Sequence, residues 1–242
     1  MRSEHTVAGL RRYGPRVLAA ASLLLAASVF AQAIPDLGFT TRVSAGLVAQ
    51  YTRRFGPPTP VRLAQWIAFA AGQKTPAFMP RLDLAAGREA DALQLINDGI
   101  NKRVKWLDDN VHWRSDDYWA TPAETIGSAG GDCEDYSIAK YYLLKELGVP
   151  LERLRITYVR ALSLKGRAHM VLAYYARPDA DPLIMDNLDP RIRVASERQD
   201  LDPVYSFNDD EVQLVRGGLR GKPSQIRAWL SVQERLIAEA RT

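Results

Sequence analysis

Cysteine is almost missing from this sequence: 242 residues contain one, Cys133. A disulfide within the chain is therefore excluded, and the thiol is buried and inert, paired to another chain, or reactive. Histidine is nearly as scarce, with only His5, His112 and His169. No uncharged apolar run approaches the roughly 20 residues that a spanning helix needs. The run from Val17 to Phe30 covers about 14. No internal repeat and no low-complexity tract is present.

What the N-terminus does hold is an export pattern. Arg2, Arg11, Arg12 and Arg16 precede the Val17–Phe30 run, and Ala31-Gln32-Ala33 follows it. A basic region, a short apolar region and a small-x-small site make a secretory signal peptide over residues 1–33, cleaved after Ala33. An uncleaved anchor is the weaker alternative, and Arg11-Arg12 leaves open whether export is general or twin-arginine. The expected location of the mature protein is the periplasm. Of 32 basic and 28 acidic residues, four Arg and one Glu belong to this segment, leaving 28 and 27. The sequence pI of about 9.2 therefore comes mostly from the leader. No basic stripe interleaved with aromatics remains, which argues against a nucleic-acid partner.

The mature chain divides into an N-terminal helical lead-in over 34–87 and a main domain over 88–242. Ala92, Leu93, Ile96, Ile100, Val104 and Leu107 recur at helical steps, predicting a core helix from 88 to 107. Thr121-Pro122-Ala123-Glu124 has the cap, the proline and the acid of a helix start. Ser128-Ala129-Gly130-Gly131 reads as a flexible approach to the cysteine. Asp132 is a candidate N-cap, with Asp135 as the reciprocal acid of a capping box, for a helix ending at Gly148-Val149-Pro150. Strands are expected over 155–164, 168–176, 183–186, 204–207 and 211–215, and a closing helix over 223–241. Helices followed by an antiparallel run of strands make an α+β domain.

Cys133 is the candidate nucleophile. At a helix start it faces the positive end of the helix dipole, which favours a thiolate, and its backbone N–H can help hold an oxyanion. Asp132, Glu134 and Asp135 oppose ionisation of the thiol unless a metal or an imidazolium neutralises them. His169 heads an apolar strand and is either a base or a satisfied structural residue. Asp186 ends the next strand, where it either caps a turn or orients His169. His112 is assigned a structural role. Trp119 is either a wall of the cleft or a core residue.

Taken together, Asp117-Tyr118-Trp119-Ala120-Thr121-Pro122, Gly131-Asp132-Cys133-Glu134-Asp135, Ile156-Thr157-Tyr158-Val159, Ala168-His169-Met170-Val171-Leu172 and Asp186-Asn187-Leu188 resemble the bacterial transglutaminase-like cysteine proteinases, the LapG-type periplasmic proteases. The resemblance implies a papain-like, transglutaminase-type fold and a Cys133–His169–Asp186 triad. It implies a calcium-dependent endopeptidase that clips a large surface adhesin near its N-terminus, at a paired-alanine site, and disperses biofilm. It further implies calcium ligands at Asp132 and Glu134, with Asp135 a further contributor. Its implied partner is an inner-membrane receptor for a cyclic dinucleotide, cyclic di-GMP, that sequesters the protease. A transglutaminase or amidase with the same triad, and a non-catalytic calcium-dependent binding module that docks through Trp113 and Trp119, remain as alternatives.

Overall fold

The computed structural model describes residues 43–73 and 89–242, and side chains in the first stretch up to residue 67. The expected signal peptide, the start of the lead-in over 34–42 and its end over 74–87, with residue 88, lie outside the described residues. Two helices come first, α1 (Ala45–Phe55) and α2 (Thr59–Gln73), followed by α3 (Glu89–Arg103). Strand β1 (Lys105–Trp106), the short helices α4 (Asp109–His112) and α5 (Pro122–Ser128) and strand β2 (Gly130–Gly131) lead to α6 (Cys133–Glu146). Strands β3 (Leu154–Ala161), β4 (Arg167–Tyr174), β5 (Leu183–Met185), β6 (Arg193–Val194), β7 (Leu201–Phe207), β8 (Val212–Leu214) and β9 (Arg220–Gly221) precede the closing helix α7 (Arg227–Glu239).

The later strands form one antiparallel sheet in the order β6-β5-β4-β3-β7-β8-β9. Short reversals join its neighbours, as antiparallel pairing allows. Helix α6 packs on β3 and β4 with one side and on α3 and α5 with others. The expected α+β architecture is the one observed, with the nucleophile candidate at a helix N-terminus.

Local chemistry accounts for most element ends. Ser44 caps α1 by accepting from the Leu47 N–H at 2.9 Å. Thr121 and Glu124 form the full capping box that their spacing predicts at α5. Helix α6 stops before Gly148, whose φ of 93° is the left-handed geometry glycine tolerates. Three expectations are corrected. The helix predicted over 88–107 ends at Arg103, because the Lys105 and Leu107 N–H groups bond the Ala129 and Gly131 carbonyls instead of a preceding turn. Gly130 and Gly131 are therefore a paired, buried strand rather than a flexible approach. A Cβ at Gly130 would lie 3.1 Å from the His112 ring, so close packing is what requires glycine there. And α6, expected to show one apolar face, is buried all round from Glu134 to Leu144.

One continuous core holds the fold together. It joins Leu47 and Tyr51 of α1, Leu63 and Trp66 of α2, Ile96 and Ile100 of α3, the middle of α6, the inner face of the sheet and Trp229 of α7. Trp229 is fully buried, stacked on Tyr142 at 5.5 Å and set edge-on to Tyr141 and Phe207. Replacing it with alanine leaves a large void between α6, α7 and the sheet. Trp229→Ala is expected to lower stability by ~3–5 kcal/mol in urea unfolding. A change under about 1 kcal/mol would show that α7 is not integral to this core.

Candidate active site

The candidate residues come from three places that packing brings together. Cys133 is the first residue of α6, partly buried against the core. Its Sγ donates to Glu134 Oε2 at 3.0 Å and is also within reach of the Met170 backbone N–H. Met170 is the residue after His169 on β4, so the cysteine and histidine elements meet where the thiol lies. No hydrogen bond joins Sγ to the His169 ring in this arrangement. Burial pushes the thiol pKa well up, and the adjacent Glu134 and Asp132 push it further.

His169 and Asp186 are paired. The imidazole Nε2 lies 2.8 Å from Asp186 Oδ1, and both residues are only 1% exposed. With Nε2 so engaged, Nδ1 is the nitrogen left for other chemistry. The Leu188 N–H also donates to Asp186 Oδ1, at 3.0 Å, so the turn-cap and imidazole-partner roles of Asp186 coexist. Burial raises the Asp186 pKa, but His169, the Leu188 N–H and Arg198 outweigh it and bring the value down to about 2. The carboxylate is ionised at every working pH. Its backbone carbonyl accepts from Asn101 Nδ2 at 2.9 Å and from Lys140 Nζ at 3.1 Å. None of Asn101, Lys140 and Arg198 stands out in the sequence. Lys140 lies inside a helical run that reads as ordinary amphipathic spacing, and its burial is a tertiary outcome.

The acids beside the cysteine belong to a larger cluster. Ligand oxygens of Asp109, Asp132 and Asp135 lie within 4.8 Å of one another, and so do those of Asp109, Asp117 and Glu134. Asp109 and Asp117 are additions to the expected set, although Asp117 opens one of the motifs that carries the resemblance. Asp132 occupies the N-cap position of α6 but its side chain makes no cap bond, and its Oδ1 is buried without a partner. Asp109 Oδ1 is likewise buried and unpartnered. The expected capping box of Asp132 and Asp135 is not formed. Asp135 turns away, accepting from the Ala120 N–H at 2.7 Å and from Trp113 Nε1 at 3.3 Å. Burial, reinforced by the neighbouring carboxylates, raises Asp109 to about 6, Glu134 to about 7 and Asp132 to about 8, and holds Asp135 well up. Converging hard oxygens, two of them orphaned, fit a calcium ion.

The remaining aromatic and histidine candidates are structural. Trp119 is 6% exposed, stacks on Phe207 at 5.7 Å and bonds Asp117 Oδ1 through Nε1 at 2.9 Å. It packs as a core residue, one of the two roles left open for it, and is too enclosed for an exposed docking aromatic. His112 bonds Ser128 Oγ at 2.9 Å and packs on Gly130, the structural role assigned to it.

Comparison with known proteins adds to this geometry. Residues 73–201 match the family described as bacterial transglutaminase-like cysteine proteinase BTLCP. The fold is similar to that of Legionella pneumophila LapG after EGTA treatment, with TM-score 0.63 and 34% sequence identity, over 78% of this chain and 95% of that one. Calcium-bound Legionella pneumophila LapG is similar at TM-score 0.61 and the same identity, over 78% of this chain and 97% of that one. No curated protein matches the chain. The chain belongs to the bacterial transglutaminase-like cysteine proteinases.

Proposed function

We propose that this protein is a calcium-dependent cysteine endopeptidase using Cys133, His169 and Asp186 as its triad. The observation that carries the reading is the buried His169 Nε2–Asp186 Oδ1 contact at 2.8 Å on β4, the strand that packs against α6, whose first residue is Cys133. His169 Nδ1 would take the Cys133 proton, the thiolate would attack the scissile carbonyl, and the imidazolium would protonate the leaving amine. Asp186, already ionised, would hold the ring in the tautomer with the proton on Nε2 and stabilise the imidazolium. The Cys133 N–H, one of the first-turn donors without an intrahelical acceptor, would help hold the oxyanion. Water would then release the acyl enzyme; transfer to an amine would make the same site a transglutaminase.

Asp109, Asp117, Asp132 and Glu134 would hold the calcium ion, with Asp135 supporting the cluster from behind. The bound ion would supply the positive charge that lets these carboxylates ionise together beside the thiol. This reading is supported by the raised pKa values of Asp109, Asp132 and Glu134 and by the calcium-bound state of the Legionella protein. The proposed substrate is a large surface adhesin cut near its N-terminus at a paired-alanine site, and the proposed outcome is biofilm dispersal. The proposed compartment is the periplasm, and the proposed partner is an inner-membrane receptor for cyclic di-GMP. Osmotic-shock fractionation checks the first, and capture on the receptor's periplasmic domain checks the second. Retention with the cytoplasm, or no capture, would overturn the respective assignment.

Cys133→Ala is expected to abolish cleavage of the adhesin N-terminus, mapped by mass spectrometry, while keeping the calcium-dependent rise in melting temperature. Cleavage that survives the substitution would refute the nucleophile. Adding a primary amine at saturating concentration separates the alternatives: hydrolysed ends support the protease, amine adducts the transferase.

Linkage gives a second test. A carboxyl whose folded pKa is raised subtracts stability as pH climbs through that value, because the folded form binds the proton more tightly. With values of about 6, 7 and 8, the chelated protein should lose melting temperature between pH 5 and pH 8. Calcium competes with those protons, so the gap between calcium-loaded and chelated protein should widen over the same range. An equal gap at pH 5 and pH 8 would contradict the carboxylate site.

A further inference from the structure

We propose that Arg198, clamped by Asp200, is a positioning residue that aims the Asp186 carboxylate at His169; this rests on the triad reading above. Arg198 follows the turn at Ala195–Glu197, is 3% exposed, and directs its Nε and Nη2 bonds to Asp200 and Asp186. Its Nε bonds Asp200 Oδ1 at 2.9 Å and its Nη2 bonds Asp200 Oδ2 at 2.8 Å. That two-pronged contact fixes the guanidinium plane, as a carboxylate on the side edge of an arginine does. Nη2 carries a second proton, and it goes to Asp186 Oδ2 at 2.8 Å. Asp186 Oδ1 is thereby left for His169 and the Leu188 N–H. The two carboxylate oxygens are divided between partners, so the carboxyl plane cannot turn without breaking a charged hydrogen bond.

The clamp is itself tied to the sheet. The Asp200 carbonyl accepts from the Leu162 N–H at 2.7 Å just past β3, and the Leu201 N–H bonds the Arg198 carbonyl as β7 begins. Asn101 and Lys140 hold the Asp186 main chain from α3 and α6, while Arg198 holds its side chain from the turn before β7. Lysine at 198 would deliver the charge but not the planar fork, so it should fall between arginine and an apolar residue in effect.

The experiment compares Arg198→Lys, Arg198→Met and Asp200→Asn with the unaltered chain in calcium buffer. Asp200→Asn is the variant least disruptive to folding, since the Asp200 side chain is 38% exposed and the substitution leaves Arg198 in place. Three readouts are taken: kcat and KM on an adhesin fragment, the rate of Cys133 alkylation by iodoacetamide at pH 7, and the downfield resonance of the His169 Nε2 proton. Arg198→Met is expected to lower kcat and the alkylation rate at least tenfold with KM within twofold, and to shift or broaden the resonance. Arg198→Lys should recover part of the loss, and Asp200→Asn should show a smaller loss of the same kind. An unchanged resonance and alkylation rate in folded Arg198→Met or Asp200→Asn would overturn the positioning role. An ordinary, unactivated thiol in the unaltered chain would instead overturn the triad reading, so the two failures are distinguishable.

Discussion

Burial of α6 on every side is the constraint from which the site follows. The helix lies between the sheet, α3 and α5 with residues from Glu134 to Leu144 withdrawn from water. Its first turn carries a thiol and carboxylates, groups that burial alone would leave neutral. The fold therefore places chemistry where desolvation is severe and lets local partners decide each protonation state. Asp186, given a histidine, an arginine and a backbone N–H, stays ionised. Asp132, given mainly other carboxylates, is pushed up to about 8. Environment separates groups of the same chemistry into an ionised carboxylate paired with an imidazole and a cluster of carboxylates with raised pKa values.

The same packing explains why the lead-in matters. Tyr51 of α1 and Thr121, the cap of α5, both bond Glu239 of α7, and Arg54 reaches Glu124 at 2.6 Å. These contacts fasten α5, the helix immediately before the glycine strand and the cysteine. The parallel pair of β1 and β2 then sets the approach to Cys133 from the end of α3. Residues far apart in sequence thus fix where α6 begins, and the start of α6 is where the thiol must be.

Much of this was legible in the sequence, for reasons that differ by element. The α5 capping box and the Gly148 stop are local, so their spacing was enough. Five of the seven sheet strands were legible from β-rich runs punctuated by turns, with ends off by a few residues, whereas the two-residue edge strands β6 and β9 were not. The cysteine, the histidine and the aspartate were legible as candidates because the chain holds so few reactive groups and because their motifs resemble one family. What was not legible depended on three-dimensional neighbours. Nothing local distinguishes Asp109 from the many surface acids, yet the fold carries it to Asp132. Lys140 and Arg198 read as surface cations and are nearly inaccessible. Asp135 looked like a capping acid, but the Ala120 N–H and Trp113 offer its oxygens better partners inside.

On the proposed reading, calcium held among the neighbouring carboxylates frees the thiol, here bonded to Glu134, to become the partner of His169. A crystal structure of the mature protein with calcium tests it most directly. The expected result is an ion held among Asp109, Asp117, Asp132 and Glu134, and Cys133 Sγ within hydrogen-bond reach of His169 Nδ1. A bound ion with Sγ still on Glu134 and the imidazole out of reach, or no ion at these oxygens, would contradict it.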